Sequence, residues 1–327
     1  MVRRATIVAL LMAVNWCARA ETTLSVSGGR FVVNGTPTFL LGVSYYGGLG
    51  ASRETLLADL DDLQRLGFNW MRVWATWLNF VNVAALTPDG RPRQPYLDRL
   101  VWLVGECDRR NFVVDVTLHR HRSEDAQRML PDLASHLRAV ETIVLALRSH
   151  RNWYLDLANE RDIRDARFVS FEELRRLRDR VKELDPDRLV TASGAPKQDD
   201  LDEYLGRAKL DFVSPHLPRN AASPGQTAGR VRQLAGWMEE RGRTVPIHLQ
   251  EPFRRGYGEW QPKAEDFLTD LEGARAGGAA GWCFHNGAQR GAPDQQPRRS
   301  FDLTRRRLFQ QWDGEERRFL ELLLRPR

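Results

Sequence analysis

Short apolar runs alternate with longer amphipathic stretches along this chain, from about residue 38 to its end. The runs are rich in β-branched and aromatic residues, which is typical of buried strands, whereas the stretches between them carry apolar residues at helical spacing. Strands that alternate with helices predict a parallel sheet covered by helices, and hence an α/β protein. The runs that we interpret as strands are Phe39–Val43, Trp70–Trp74, Val113–Leu118, Trp153–Ala158, Leu189–Ala192, Phe212–Ser214, Val245–Leu249 and Gly281–Phe284.

Local signals mark the start of two helices and of a small additional sheet. Ser52 is a suitable N-cap for a leucine-rich helix that ends near Gly67. Ser170 and Glu173 have the Ser-x-x-Glu spacing of a capping box, which predicts the start of another helix. Residues 24–34 contain Gly28-Gly29 between two apolar segments, so we expect a β-hairpin before the first of the eight strands.

Polar and aromatic side chains cluster at the carboxyl ends of the predicted strands. These side chains are Arg72, Trp74, His119, Asn159, Glu160, His216, Glu251 and Trp282. Such convergence favours a closed ring over an open doubly wound sheet, because the carboxyl ends of all barrel strands meet at one mouth. We therefore predict a (β/α)₈ TIM barrel with a small N-terminal β-hairpin. The stretches 78–95 and 286–300 are too long for plain connections and follow strands on this face.

Length and composition are consistent with one domain over residues 21–327. The chain has 327 residues, and a (β/α)₈ barrel folds about 250 residues around a single core. The net charge of +6 comes from basic residues scattered among acidic partners, which is not the pattern of a nucleic-acid-binding surface. Cys107 and Cys283 fall on different predicted layers, so we expect buried free thiols.

The first 20 residues differ from the rest of the chain. Arg3 and Arg4 precede the apolar run Ala5–Val14, and Ala18-Arg19-Ala20 has the small-x-small pattern of a cleavage site. This predicts a signal peptide over residues 1–20, cleaved after Ala20, and a secreted or periplasmic protein without stable membrane association. A membrane anchor is the less favoured alternative, because a span needs about 20 apolar residues.

Glu160 and Glu251 directly follow apolar strands, where an unneeded charge would be costly. Strands four and seven lie nearly opposite each other in an eight-stranded ring, so we expect the two carboxyl groups to face each other. Carboxyl groups about 5 to 5.5 Å apart can cleave a β-glycosidic bond with retention. Burial beside Glu251 is expected to raise the pKa of Glu160, while Arg72 is expected to lower that of Glu251. The alternative for Arg72 is a structural ion pair with Asp156.

These residues give the chain a resemblance to the clan A glycoside hydrolases, and to family 5 most of all. The Asn159-Glu160 pair is the most specific element. The resemblance implies that Asn159 binds the sugar 2-hydroxyl, that Glu160 is the acid/base and that Glu251 is the nucleophile. It further implies that Arg72 keeps the nucleophile ionised. It also implies sugar contacts from His119, His216 and Trp282, and a monomer that hydrolyses poly- or oligosaccharides without a cofactor.

One position departs from the family pattern. The family has a tyrosine two residues after the strand-six histidine, whereas His216 is followed by Leu217 and Pro218. The phenol that contacts the nucleophile is therefore missing or comes from another tyrosine, for which the candidates are Tyr45, Tyr46 and Tyr257.

Several aromatic residues at strand ends or in the following loops can stack on sugar rings. We expect Trp74, Trp282 and Tyr46 to contact the substrate. For Trp77 and Trp260 ordinary packing under loops is an equal alternative.

Two other functions remain open. His119 and His121 form a His-x-His pattern that also occurs in metal-dependent barrel hydrolases, and three further histidines could join them: His216, His248 and His285. His248 lies inside a strand, which favours a packed histidine over a ligand. The second alternative is a carbohydrate-binding barrel that has lost catalysis, motivated by the missing tyrosine after His216.

Overall fold

The computed structural model describes residues 21–78, 80–119, 129–163, 167–285 and 301–325, apart from the side chain of His119. The predicted signal peptide, His121 and the stretch 286–300 lie outside these residues.

A small antiparallel sheet comes first. It is formed by β1 (Leu24–Ser27), β2 (Arg30–Val33) and β3 (Thr36–Thr38) in the order β1-β2-β3. The predicted hairpin is present with Gly28 in a left-handed conformation at its turn, and a third strand extends it. Phe31 of β2 is fully buried against Tyr154, Phe212 and His248 of the barrel. The small sheet therefore covers the end of the barrel at which the strands begin.

Parallel strands then form a ring, and in the described residues the fifth position of the ring is split in two. In chain order these strands are β4 (Leu40–Ser44), β5 (Trp70–Trp74), β6 (Val113–His119), β7 (Trp153–Asn159), β8 (Val190–Thr191) with β9 (Ser193–Gly194), β10 (Ser214–Pro215), β11 (His248–Leu249) and β12 (Gly281–Phe284).

Strand pairing continues all the way around this ring. It runs from β4 through β5, β6 and β7 to β8, then from β9 to β10. A single parallel bridge between Val213 and Ile247 joins β10 to β11, and β11 and β4 both pair with β12. The predicted (β/α)₈ barrel is confirmed. The predicted fifth, sixth and seventh strands are less regular than expected, because β8, β9, β10 and β11 have two residues each.

Helices cover the outside of the ring, and their capping follows the sequence. Ser52 Oγ accepts the Thr55 backbone N–H, and Ser170 and Glu173 form the predicted capping box. Cys107 and Cys283 are buried free thiols as predicted. No helix in the described part of the chain has both the length and the apolar character of a membrane span. The helices are α1 (Arg53–Arg65), α2 (Tyr96–Asp108), α3 (Leu133–Leu147), α4 (Phe171–Leu184), α5 (Ser223–Glu239), α6 (Ala264–Gly277), α7 (Leu308–Gln311) and α8 (Gly314–Leu323).

Candidate active site

Glu160 and Glu251 approach each other across the mouth of the barrel. Glu160 follows β7 and has a φ of 50°, a left-handed conformation that side chains other than glycine adopt at a cost. Glu251 follows β11 and is buried. One carboxylate oxygen of each glutamate and one ring nitrogen of His216 all lie within 4.8 Å of one another. The structure therefore brings together the two carboxyl groups that the sequence placed on opposite strands.

Both oxygens of Glu251 accept hydrogen bonds from cations. Arg72 Nη1 donates to Oε1 at 2.6 Å, and Arg219 Nη2 donates to Oε2 at 2.9 Å. Burial alone would raise the pKa of Glu251, but His216, Arg72 and Arg219 hold that pKa well below its usual range. Glu251 is therefore an ionised carboxylate at neutral pH, as the sequence predicted from Arg72.

Arg72 lies fully buried at the centre of the barrel and joins several carboxylates. Its Nη2 donates to Asp156 at 2.7 Å and to Asn159 at 3.1 Å, and its Nε lies 3.2 Å from an oxygen of Asp115. The two interpretations of Arg72 therefore both hold, because one guanidinium makes the ion pair with Asp156 and the contact with Glu251. Burial raises the pKa of Asp115 to about 8, and the charge of Arg72 opposes this rise.

The phenol that the family pattern places after the strand-six histidine, and that this chain lacks after His216, comes from Tyr46, just beyond β4. Tyr46 OH donates to Glu251 Oε1 at 2.7 Å and lies 3.3 Å from Arg72 Nη1. Of the other candidates, Tyr45 donates to Asp59 at 3.0 Å, and the ring of Tyr257 lies against Arg219 and Arg254. The contact to the nucleophile candidate is thus retained, although it comes from a different strand.

Glu160 has a different environment from the one predicted. His216 Nδ1 lies 3.4 Å from Glu160 Oε1. Burial and Glu251 raise the pKa of Glu160, but the hydrogen bond and charge of His216, together with Arg219, lower it to about 2. The predicted raised pKa was wrong because the sequence argument counted burial and Glu251 but not the contact with His216. Glu160 must therefore gain a proton before it can act as an acid.

The predicted role of Trp282 as the floor of the sugar site is also wrong. Trp282 is fully buried, its Nε1 donates to Asp270 of α6 at 2.6 Å, and its ring packs near Phe319 of α8. Side chains alternate along a strand, so Trp282 faces the helices while Cys283 faces the barrel interior. His285, two residues beyond Cys283, is the strand-eight side chain that reaches the site.

Sequence reasoning missed two site residues, Arg219 and Arg254, and considered His285 only as a possible metal ligand. His285 Nδ1 lies 2.8 Å from Ser44 Oγ, and its Nε2 accepts from Arg254 Nη1 at 2.5 Å. The alternation of β12 could have identified His285. Arg219 and Arg254 stand in loops after β10 and β11, where no periodicity fixes the direction of a side chain.

Three further residues were predicted to contact the substrate: Asn159, Trp74 and His119. Asn159 Oδ1 accepts from Arg72, which fixes the orientation of its amide at the mouth. Trp74 packs against Tyr46 and Trp77 with ring centroids 4.8 and 5.3 Å apart, and it is 7% exposed. The backbone of His119 pairs with Asn159, and its side chain lies outside the described part of the chain.

The metal alternative meets an electrostatic obstacle. Glu160, His216 and Glu251 have the donor types and the spacing of a metal site. However, Arg72 and Arg219 already contact both oxygens of Glu251 and would repel a divalent cation there. His248 lies deeper, between Trp70 and Phe31, where burial lowers its pKa to about 3. It is a packed histidine, as the sequence favoured.

Comparison of the whole chain with known proteins gives matches among solved structures. The endo-1,4-β-mannanase from Rhizomucor miehei superposes with a TM-score of 0.66 and 13% identity over 92% of this chain and 98% of the mannanase. The catalytic domain of a Streptomyces mannanase superposes with a TM-score of 0.60 and 14% identity over 98% of this chain and 95% of that domain. A glycoside hydrolase family 5 protein from Bacteroides vulgatus superposes with a TM-score of 0.64 and 13% identity over 88% of this chain and 67% of that protein. No family model matches the sequence, nor does any curated protein.

The fold is that of these enzymes. The fold that the resemblance to family 5 implied is therefore confirmed. At identities this low, the arguments about individual residues of this barrel rest on the geometry described above.

Proposed function

We propose that this protein is a retaining β-glycoside hydrolase that acts on poly- or oligosaccharides, with Glu251 as nucleophile and Glu160 as acid/base. The observation that carries the proposal is the approach of the two carboxylates to within 4.8 Å, with Arg72 and Tyr46 on Glu251. This approach fits retention, because inversion requires carboxyl groups about 6.5 to 9.5 Å apart to admit a water molecule.

In the first step an oxygen of Glu251 attacks the anomeric carbon while the glycosidic C–O bond breaks. Oε2 is the suitable oxygen, because it lies toward His216 at 3.7 Å, whereas Arg72 and Tyr46 both hold Oε1. Glu160 transfers its proton to the leaving oxygen. It takes this proton from solvent water when substrate binding breaks the contact with His216, which at 3.4 Å is long for a hydrogen bond.

In the second step water attacks the anomeric carbon of the glycosyl-enzyme ester. Glu160, now ionised, takes a proton from the water, and the ester C–O bond breaks to restore the Glu251 carboxylate. Asn159 is oriented by Arg72 to donate through its amide nitrogen to a sugar hydroxyl.

The proposal also includes export to the periplasm or the exterior. It is supported by residues 1–20, which have the sequence pattern of a signal peptide.

Azide rescue tests the two roles separately. Glu251→Gly should abolish turnover, and added azide should restore cleavage of an activated aryl β-glycoside with an α-glycosyl azide as product, since azide attacks from the vacated face. Glu160→Ala should retain slow formation of the glycosyl-enzyme and give a β-glycosyl azide. The natural substrate is sought by a reducing-sugar screen over mannans, glucans, xylans and aryl glycosides. Mannans are included because several structural neighbours are named mannanases.

A matched control comes from the same loop. Glu259 is an exposed glutamate eight residues after Glu251, so Glu259→Gly should leave turnover unchanged and give no azide product. Full turnover in Glu251→Gly without azide would overturn the assignment of the nucleophile.

The presence of Tyr46 at Glu251 weakens the alternative of an inactive binding barrel. That alternative rested on the missing tyrosine after His216, and Tyr46 OH makes the expected contact at 2.7 Å.

A further inference from the structure

We propose that Arg219 and Arg254 bind an anionic group on the sugar that Glu251 attacks, so that the substrate carries a uronic acid at the cleaved position. This inference rests on the proposed function and specifies its substrate class.

The first observation is an excess of cations beside Glu251. Arg72 has carboxylates on several sides, whereas Arg219 contacts the single carboxylate of Glu251. Arg254 is 8% exposed, and within the described residues no carboxylate lies at ion-pair distance from it. Its hydrogen-bond partner there is His285 Nε2, which is uncharged when it accepts. The charge of Glu251 favours the Arg254 cation, but Arg72 and Arg219 share that one carboxylate, so an anionic ligand would balance the cations of the described site.

The second observation is that both guanidinium groups lie against the ring of Tyr257. Arg254 Cζ lies 4.2 Å and Arg219 Cζ 5.6 Å from the centroid of the Tyr257 ring. Burial and the charge of Arg219 lower the pKa of Arg254 to about 10, so it remains a cation at neutral pH. Each guanidinium has five N–H donors, and most of them have no acceptor within the described residues. Such planar forks suit a carboxylate, which can accept two N–H bonds from each.

Their position next to the nucleophile fixes which sugar carries the anion. Arg219 touches Glu251 directly, and Arg254 reaches it through His285, whose Nε2 lies 3.9 Å from Glu251 Oε2. In a pyranose attacked at its anomeric carbon, C5 is joined to that carbon through the ring oxygen, so the C5 substituent and the C2 hydroxyl are the groups of the sugar nearest to the reacting centre. A uronic acid has a carboxylate on C5, whereas a neutral hexose has a hydroxymethyl group that offers no countercharge.

The test compares 4-methylumbelliferyl β-uronides with their parent β-hexosides in the gluco, galacto and manno series. For the natural protein we expect kcat/KM to favour one uronide over its parent hexoside. Arg254→Gln should reduce that ratio by about 10- to 100-fold, the effect of removing one charge-assisted hydrogen-bonding group. Arg254→Lys, which keeps the charge, should lose less.

Arg255→Gln is the matched control. Arg255 stands next in sequence but donates to Asp313 at the start of α8, away from Glu251, so this variant should keep the natural preference. Preference for the hexoside in all three series, or an unchanged ratio in Arg254→Gln, would overturn the inference. A 6-sulfated hexoside cleaved in place of every uronide would overturn the carboxylate assignment.

Binding of free sugars separates this inference from the proposed function. Calorimetry with glucuronate, galacturonate and mannuronate needs no bond cleavage, and we expect a uronate to bind more tightly than its hexose in an Arg254-dependent manner. If no glycoside is cleaved but this binding is found, the proposed function fails and the uronate site stands. If neutral glycosides are cleaved and no uronate binds, the inference fails and the proposed function stands.

Discussion

At the scale of single residues, the state of Glu251 is set by side chains that belong to, or follow, three different strands. Arg72 and Tyr46 hold Oε1 inside the barrel, while Arg219 contacts Oε2 on the side of His216. The inner contacts keep the group ionised and fix its orientation. The outer contact competes with attack, because Oε2 must lose part of its hydrogen bonding before it can form a bond to carbon.

Tyr46→Phe tests the inner contacts. The variant removes the 2.7 Å hydrogen bond to Oε1 and leaves Arg72 in place, so we expect kcat to fall by about 10- to 100-fold, as for one hydrogen bond to a charged group. Steady-state kinetics and a thermal melt should show lost turnover with retained folding. Tyr96→Phe, at the start of α2, is the control and should keep the natural turnover, because its ring lies against Arg93 and Arg99 and not against Glu251. Equal activity of the two variants would remove Tyr46 from the catalytic apparatus.

His216→Gln tests why the pKa of Glu160 is low. The hydrogen bond and charge of His216 lower this pKa to about 2, whereas burial and Glu251 raise it. The variant removes the lowering contribution of the imidazole, so the carboxyl should titrate at a higher pH. Carbon-13 NMR of labelled glutamate side chains, assigned with Glu160→Gln, measures the change directly. A pKa that stayed near 2 would show that Arg219 alone accounts for the lowering.

At the scale of elements, the eighth strand shows how alternation decides which residues reach the site. Trp282 and Phe284 face the helices, where their rings lie 6.3 Å apart near Phe319 of α8. Cys283 and His285 face inward, and both contact Ser44. A shift of one residue in this register would exchange the two sets, since successive side chains point to opposite faces.

Trp282→Phe tests this arrangement. It removes the hydrogen bond to Asp270 and part of the packing, so we expect stability to fall by about 1–3 kcal/mol. KM should stay unchanged, since Trp282 is fully buried on the helix side of the sheet. Urea denaturation and steady-state kinetics measure the two quantities. A large rise in KM with unchanged stability would restore Trp282 as a sugar contact.

The sequence was sufficient to predict the ring of strands, because buried parallel strands appear as continuous apolar runs bounded by turn residues. It also identified Glu160, Glu251 and Asn159, since a charge or an amide directly after such a run is conspicuous, and Arg72, since a charge inside such a run is equally so. It could not choose between Tyr45 and Tyr46, because adjacent side chains take opposite directions. Arg219 lies in a loop, where tertiary contacts rather than local pattern set its orientation.

At the scale of the whole molecule, the barrel is paired unevenly around its ring. β6 and β7 pair over nearly their full lengths, whereas β10 and β11 are joined by the single bridge between Val213 and Ile247. The weakly paired side carries His216 and Glu251, while the strongly paired side carries Asn159 and Glu160. Phe31 of the N-terminal sheet packs against Phe212 and His248 beneath the weak side. The small sheet therefore supports the part of the ring where hydrogen bonding is sparsest.

Hydrogen exchange tests whether the small sheet has this role. The amides of Val213 and His248 should exchange at least about 10-fold faster than that of Val114, because local opening is easiest where few hydrogen bonds must break. Phe31→Ala should cost about 3–5 kcal/mol of stability and accelerate exchange at Val213 and His248 most strongly. Phe309→Ala on α7 is the control, since its ring packs on Trp312, away from this side of the ring. A uniform acceleration in both variants would show that Phe31 stabilises the barrel as a whole. A selective one would show that Phe31 stabilises mainly the side of the ring that carries His216 and Glu251.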